Sequence, residues 1–193
     1  MRRLIREHGE FNLVPDDRRS PFESLVRAVA HQQLNGTAAG AILRRFRALF
    51  PKSRFPRPHE LMAVSDEQLR AAGFSRAKIA ALRDIAEKTL SGIIPTARRI
   101  HKMSDDEIIE RLIEVRGVGR WTVEMLLIFK LGRADVLPVD DFGVRNGYRI
   151  AFGLSDLPAP KQLLALGEPW RPYRTTASWY LWRAADGGAK SKA

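Results

Sequence analysis

Helix starts dominate this chain. In three places a serine stands three residues before a glutamate or glutamine and opens an apolar run: Ser20 with Glu23, Ser65 with Gln68, and Ser104 with Glu107. In such a pair the serine side chain caps one backbone N–H and the acid or amide reaches back to another. Pro21 adds a first-turn proline to the first of them. Phe22, Leu25, Val26 and Val29 then recur at helical spacing. Asn35-Gly36 breaks the chain, and a second helix to about residue 50 carries Ile42, Leu43, Phe46 and Leu49 inward. Ser75 caps a longer helix with Ile79, Leu82, Ile85, Ala86 and Leu90 on one face. Gly73, Gly92, Gly132 and Gly153 stand where helices should stop. No stretch alternates with period two, so the chain reads as all-α. The proline-containing stretches 51–58 and 157–160 read as loops, residues 1–17 as mixed sequence with no independent unit, and Ala184 onward as a solvated tail.

The chain has 193 residues, 45% of them hydrophobic, enough for a real core. Lysine and arginine number 33 against 22 acidic residues, and the resulting net charge of +11 favours a polyanionic partner. There is no cysteine, which excludes disulfides, a thiol nucleophile and a cysteine-ligated cluster. No apolar run reaches the roughly 18 residues a membrane span needs. The basic start Met1-Arg2-Arg3-Leu4-Ile5 is broken by Arg6, Glu7 and His8 before any signal-peptide core, so a cytoplasmic protein is the expectation. The four histidines, at 8, 31, 59 and 101, are scattered, and no His-Glu-x-x-His pattern calls for a catalytic metal.

One stretch combines structure with chemistry: Leu112-Ile113-Glu114-Val115-Arg116-Gly117-Val118-Gly119-Arg120-Trp121-Thr122-Val123-Glu124-Met125-Leu126-Leu127. It reads as two helices joined by a tight hairpin at Gly117-Val118-Gly119. Glycines there permit positive φ and close approach of another molecule. The helix that follows offers unpaired N–H groups to an anion, with Arg116 and Arg120 adding charge beside them. As a lone Gly-x-Gly it would be only a packed helix–helix turn. The apolar entry helix, Val118 between the glycines, and Thr122 with the apolar run after it make a phosphate-binding hairpin the better reading.

Downstream, Leu137-Pro138-Val139-Asp140-Asp141-Phe142-Gly143-Val144-Arg145 starts a helix at 140 or 141 that should run to 152. Aspartate is a preferred N-cap, which accounts for one of the two carboxylates but not the other. At the end of the first helix, the apolar phase falls on Gln32 and Gln33, which marks either a frayed terminus or a cleft. The segment from Trp170 to Arg183 is aromatic and basic together, and Trp170 and Trp179 read as core.

The hairpin and the segment after it resemble the helix-hairpin-helix DNA glycosylase superfamily that includes endonuclease III. The Gly-Arg-Trp-Thr and Pro-Val-Asp-Asp forms are similar to its DNA-3-methyladenine glycosylase II branch, in a minimal form without an extra N-terminal domain. The resemblance implies two helical subdomains around a cleft: residues 20–134 with the hairpin, and a discontinuous unit of 1–19 plus 135–193. It implies Asp141 as the catalytic carboxylate, three residues before Val144, with Asp140 left as the cap. The helix end favours a charged carboxylate, and an anion suits a reaction in which positive charge develops on a sugar.

Further site residues follow from the same resemblance. Trp121 and Trp182 take the family's aromatic base-pocket positions, with Met125 where relatives can carry another aromatic. Arg116, Gly117, Val118, Gly119, Arg120 and Thr122 would hold the DNA backbone, and Gln33 or Leu34 would occupy the wedge position. The carbonyls of Ile113, Val115 and Val118 correspond to ligands of a monovalent cation, sodium or potassium; no cofactor is otherwise required. Trp121 stands where strand-cutting relatives place a nucleophilic lysine, and Lys130 lies too far along to replace it. A monofunctional glycosylase is therefore expected. It would flip damaged bases out of duplex DNA, excise alkylated purines such as 3-methyladenine and 7-methylguanine, and leave an abasic site, with no membrane partner and a monomer sufficing. Two alternatives compete: a helix-hairpin-helix module that only binds DNA, and a glycosylase for other damaged or mismatched bases.

Overall fold

The computed structural model describes the backbone of residues 1–190 and the side chains of residues 1–187. Its elements are α-helices and one short 3-10 turn, with no strand among the described residues, and none of its helices is long and apolar enough to cross a membrane. The chain packs as two units, Met1–Asp16 with the chain from Leu127 onward, and Asp17–Leu126. The division between them lies inside a helix, between Leu126 and Leu127.

The first helix, α1 (Arg2–His8), belongs to the discontinuous unit. The continuous unit begins with α2 (Pro21–His31), α3 (Gly36–Ala48), α4 (Pro58–Ala63) and α5 (Asp66–Ala72). It goes on with α6 (Arg76–Leu90), α7 (Ala97–Ile100) and α8 (Asp105–Leu112), and ends within α9 (Arg120–Phe129). Its starts are capped as the sequence requires. Ser20, Asn35, Ser65, Ser75, Thr96 and Ser104 each accept an N–H three residues on. The pairs at Ser65 and Ser104 are fully reciprocal. The pair at Ser20 is not: Ser20 takes the Glu23 N–H at 3.1 Å, but the Glu23 carboxylate accepts from Arg27 Nε at 2.8 Å, one turn further along. A charged partner wins over a backbone amide there.

The core of this unit is Leu25, Phe46, Leu61, Leu69, Leu82, Ile85 and Ile108, all at zero exposure. Each such side chain contributes about 1.5–3 kcal/mol by leaving water. Phe46 packs against Phe50, Phe55 and Phe74 with ring centroids 5.2–5.8 Å apart. Arg83 stitches α4 and α5 to α6, donating to the carbonyls of Leu61 and Val64 and to Asp66 Oδ1.

The discontinuous unit adds α10 (Phe142–Phe152), α11 (Pro160–Leu166) and α12 (Arg174–Lys190) to α1. Its core joins Leu4, Val144, Tyr148, Leu163, Trp179, Tyr180, Leu181 and Ala184, with Trp170 packed at the edge. Trp179 is thus a core residue, as expected, while Trp170 is partly buried and packs against the core. Ala184 is not the start of a solvated tail: α12 runs through it to Lys190, and its methyl group is buried. Tyr180 donates its hydroxyl to the Gly9 carbonyl at 2.8 Å, fixing the N-terminal segment to α12.

The stretch before α10 has no regular structure, yet α12 pins it. Thr175 N–H donates to the Ala134 carbonyl at 2.9 Å, the Thr175 hydroxyl donates to the Arg133 carbonyl at 2.6 Å, and that hydroxyl accepts from Val136 N–H at 3.0 Å. Asp135 grips Arg174 through Nε at 2.7 Å and Nη2 at 3.0 Å, and takes Arg171 at 2.6 Å. Partial burial pulls the Asp135 carboxyl upward, but the Arg174 guanidinium outweighs this and holds it below the usual carboxylate range. The start of α10 is thereby set against α12.

Candidate functional site

The hairpin is built from buried valines and exposed glycines. Val115 and Val118 are 2% and 4% exposed and anchor it to the core. Between them the Val118 N–H closes a turn onto the Val115 carbonyl at 3.0 Å. Gly117 takes φ 76°, a conformation that favours glycine, and a Cβ there would lie 3.1 Å from the Ala81 methyl group. Gly119 differs. Its φ is not positive, and a Cβ would meet nothing within 4 Å. Nothing within the unit demands glycine at 119, so the space it leaves faces outward.

Three side chains clamp the hairpin backbone from behind. Gln32 Nε2 donates to the Gly117 carbonyl at 2.8 Å. Lys88 Nζ donates to the Glu114 carbonyl. Asp84 accepts the Arg116 N–H at 2.7 Å and pairs with Lys88 at 3.0 Å. The polar residue at the end of α2 is explained by the first of these bonds: Gln32 is the cap of that helix and braces the hairpin. Gln33 then turns outward with φ 57°, a left-handed conformation uncommon outside glycine, and both it and Leu34 are exposed. His31 is a surface residue with Nδ1 on the Arg27 carbonyl at 2.9 Å.

Of the six hairpin residues expected to meet a phosphate, Arg116, Gly117, Gly119 and Arg120 are exposed. Val118 contributes backbone only, and Thr122 is 6% exposed, so its side chain belongs to the interior rather than to the hairpin surface. Arg120 is held by Glu124, one turn on, at 3.0 Å. On the same helix Trp121 is 45% exposed and Met125 half-buried, one turn apart.

In the discontinuous unit the two aspartates separate cleanly. The sequence points to Asp140 as the cap, and the structure reverses this. The cap of α10 is Asp141, whose Oδ1 accepts the Val144 N–H at 2.8 Å, while Asp140 is an exposed turn residue. Helix α10 accordingly starts at Phe142. The same Oδ1 accepts the Trp182 Nε1–H at 2.8 Å. One carboxylate thus caps the helix and receives an indole from α12. A carboxylate fixed by two N–H donors at a helix N-terminus is arranged to stabilise positive charge nearby. Among the described residues no group of histidine, cysteine or acidic side chains could hold a metal ion.

Residues 26–172 match the HhH-GPD superfamily of base excision DNA repair proteins. The chain belongs to that superfamily. The Schizosaccharomyces pombe protein called DNA-3-methyladenine glycosylase 1 is 47% identical over 169 residues, covering 88% of this chain and 74% of its own length. The solved structure of the 3-methyladenine DNA glycosylase from that organism, in complex with abasic DNA, superposes with a TM-score of 0.83 at 46% identity, covering 94% of this chain and 89% of that one. A DNA-3-methyladenine glycosidase from Bacillus halodurans superposes with a TM-score of 0.88 at 37% identity, covering 97% and 85%. The superfamily's all-helical fold is therefore this chain's fold.

Sequence reasoning missed the donors on Asp141, the bracing role of Gln32 and the stack of Phe129 on Trp182. Only Gln32 left a trace, as a polar residue at an apolar phase.

Proposed function

We infer that this chain is a monofunctional DNA glycosylase that excises alkylated purines from duplex DNA in base-excision repair and leaves an abasic site. The observation that carries this is Asp141, held by two N–H donors at the start of α10 in a superfamily member whose close relatives bear the glycosylase name. The C1′–N bond breaks and its electron pair leaves with the base. A water oxygen then bonds to C1′ and gives its proton to solvent or base. The Asp141 anion stabilises the positive charge that C1′ and the ring oxygen carry between these events. Methylation at N3 or N7 makes a purine cationic and a good leaving group, so little acid assistance is needed.

A cationic base also gains from aromatic faces, which Trp121 and Trp182 supply, with Met125 beside Trp121. Gln33 or Leu34 fills the place the base vacates. The hairpin holds the phosphates, and one protein molecule suffices for one lesion. The carbonyls of Ile113, Val115 and Val118 would hold a sodium or potassium ion. Lys88 and Gln32 occupy the neighbouring carbonyls of Glu114 and Gly117, and among the described residues only the Val115 carbonyl of the three carries a turn bond, from the Val118 N–H. When bound, the cation supplies a positive charge for a phosphate oxygen.

Two results test this reading. Incubation with methylated duplex DNA should release 3-methyladenine and 7-methylguanine on a chromatogram, with hypoxanthine slower. Borohydride should trap no protein–DNA adduct, because Trp121 occupies the lysine position and Lys130, nine residues on in the sequence, is only 4% exposed. Release of no base from any methylated substrate would leave a DNA-binding module instead.

The hairpin makes a separate prediction. Affinity for duplex DNA should fall roughly linearly with salt on logarithmic axes, as expected for a charge of +11 meeting phosphates. Gly119→Val should weaken binding to every sequence alike at a stability cost of about 1 kcal/mol, since the position is open and surface-exposed but begins α9, where valine is a poor cap. Titration by fluorescence anisotropy checks both. Unchanged affinity in Gly119→Val would move the phosphate site off the hairpin.

A further inference from the structure

We propose that Trp182 is a positioning residue for Asp141, and that Gly143 is glycine so that this pair can form. The proposal rests on Asp141 being the catalytic carboxylate. Trp182 occupies a base-pocket position by resemblance, and a base-pocket aromatic acts through its face. Here the informative atom is on its edge. Nε1–H points at Asp141 Oδ1 at 2.8 Å, the same oxygen that accepts Val144 N–H at 2.8 Å. One donor comes from the backbone of α10 and the other from a side chain of α12. A lone cap bond leaves the carboxylate able to rotate about its outer torsion, whereas two donors from different helices fix the plane of the group.

The indole is itself held. Phe129 lies against it with ring centroids 5.6 Å apart and planes 27° from parallel, so one face is already covered by protein. Phe129 is tied in turn: its carbonyl accepts the Asp16 N–H at 2.8 Å. Gly143 lies on the other side of the arrangement. A Cβ at 143 would stand 2.8 Å from Trp182 Cδ1, 3.1 Å from Trp182 Nε1 and 3.1 Å from Asp141 Oδ1. The φ of Gly143 is not positive, so backbone conformation gives no reason for glycine there. Gly143 stands in the first turn of α10, where alanine is the better helix former, and glycine there leaves the room the indole needs to reach the carboxylate.

A group that orients the carboxylate acts on every substrate alike, because the carboxylate faces the sugar. A group that stacks on the base discriminates between bases. The test is single-turnover excision by Trp182→Phe, which keeps an aromatic ring against Phe129 and removes the N–H. Excision of 3-methyladenine and 7-methylguanine should slow by the same factor, about ten- to a hundredfold, while binding to lesion DNA falls far less, because phenylalanine keeps an aromatic face for the base. In an Asp141→Asn background the further loss should be less than about twofold, since a group acting through Asp141 adds nothing once the charge is gone. Gly143→Ala should reproduce both signatures by crowding the indole away.

In the free protein, the Trp182 indole proton should exchange slowly with deuterium and quickly in Asp141→Ala, a readout independent of catalysis. Full activity of Trp182→Phe, losses that multiply with Asp141→Asn, or losses that differ between the two bases would each overturn the proposal and leave Trp182 a stacking face only. Asp141→Asn retaining wild-type activity would overturn the catalytic reading itself, and the positioning role with it.

Discussion

Asp141→Asn is expected to slow single-turnover release of 3-methyladenine by on the order of a hundredfold or more, the scale of losing a large electrostatic contribution in a preorganised site. Affinity for lesion DNA should stay close to wild type, and so should stability. Asparagine keeps an oxygen where Oδ1 accepts from Val144 and Trp182, and asparagine caps helices as well as aspartate does. The substitution therefore removes charge with little change in shape. Asp141→Ala removes the cap too and should cost an additional ~1 kcal/mol of stability. Asp140→Asn should leave the rate within a small factor of wild type, because Asp140 is exposed and is not the cap. Rapid-quench assays on one lesion-containing duplex, with anisotropy for binding, decide the matter. Wild-type rates in Asp141→Asn would remove the carboxylate from the mechanism. Loss in Asp140→Asn alone would exchange the two residues' roles.

The reversal at this pair shows where sequence reading stops. Both aspartates are good caps by type, and the choice between them depends on where the first helical turn closes. That is set by the Asp141 N–H bonding back to the Pro138 carbonyl at 3.0 Å and by contacts from α12, which lies far along the chain. The donors on Oδ1 are equally invisible: Trp182 is 41 positions away and reaches Asp141 only because α10 and α12 pack together. Local signals were a better guide. The serine and asparagine caps, the left-handed glycines at 73 and 153, and the hairpin around Gly117 are decided within a few residues, and they appear where the pattern put them.

The helices that the sequence does not announce are short ones. α1, α4, α7 and α11 have seven, six, four and seven residues, too few for an apolar period to repeat. Pro58 and Pro160 were informative in a sense opposite to the one given them: each begins a helix, where its fixed φ suits the first turn, rather than ending a loop. Likewise the composition after Ala184 concealed α12, whose inner face still reaches the core at that residue. At the hairpin, two glycines of one motif turned out to serve different needs, one for backbone conformation and one for open space.

The contact between α10 and α12 supports the second large effect. Gly147→Ala should destabilise the protein by about 3 kcal/mol or more, the upper range for overpacking a buried contact. A Cβ at 147 would fall 1.9 Å from the Leu181 carbonyl oxygen and 2.9 Å from its Cα. Both atoms are backbone, so no side-chain rotation can make room, and the two helices must part. Leu181 adjoins Trp182, so any variant that still folds should also lose activity as the indole withdraws from Asp141. Gly187→Ala is the matched control. It is also a helical glycine, in α12, but it is exposed, and its added methyl group would meet only His8 Cε1, at 3.9 Å. There the intrinsic preference of helices for alanine is unopposed and should add up to ~1 kcal/mol of stability. The same chemical change thus carries opposite signs at two helix positions, the difference being what the new methyl group meets. Urea unfolding of both variants measures it, and a Gly147→Ala protein as stable as wild type would mean that α10 and α12 do not cross backbone to backbone at that point.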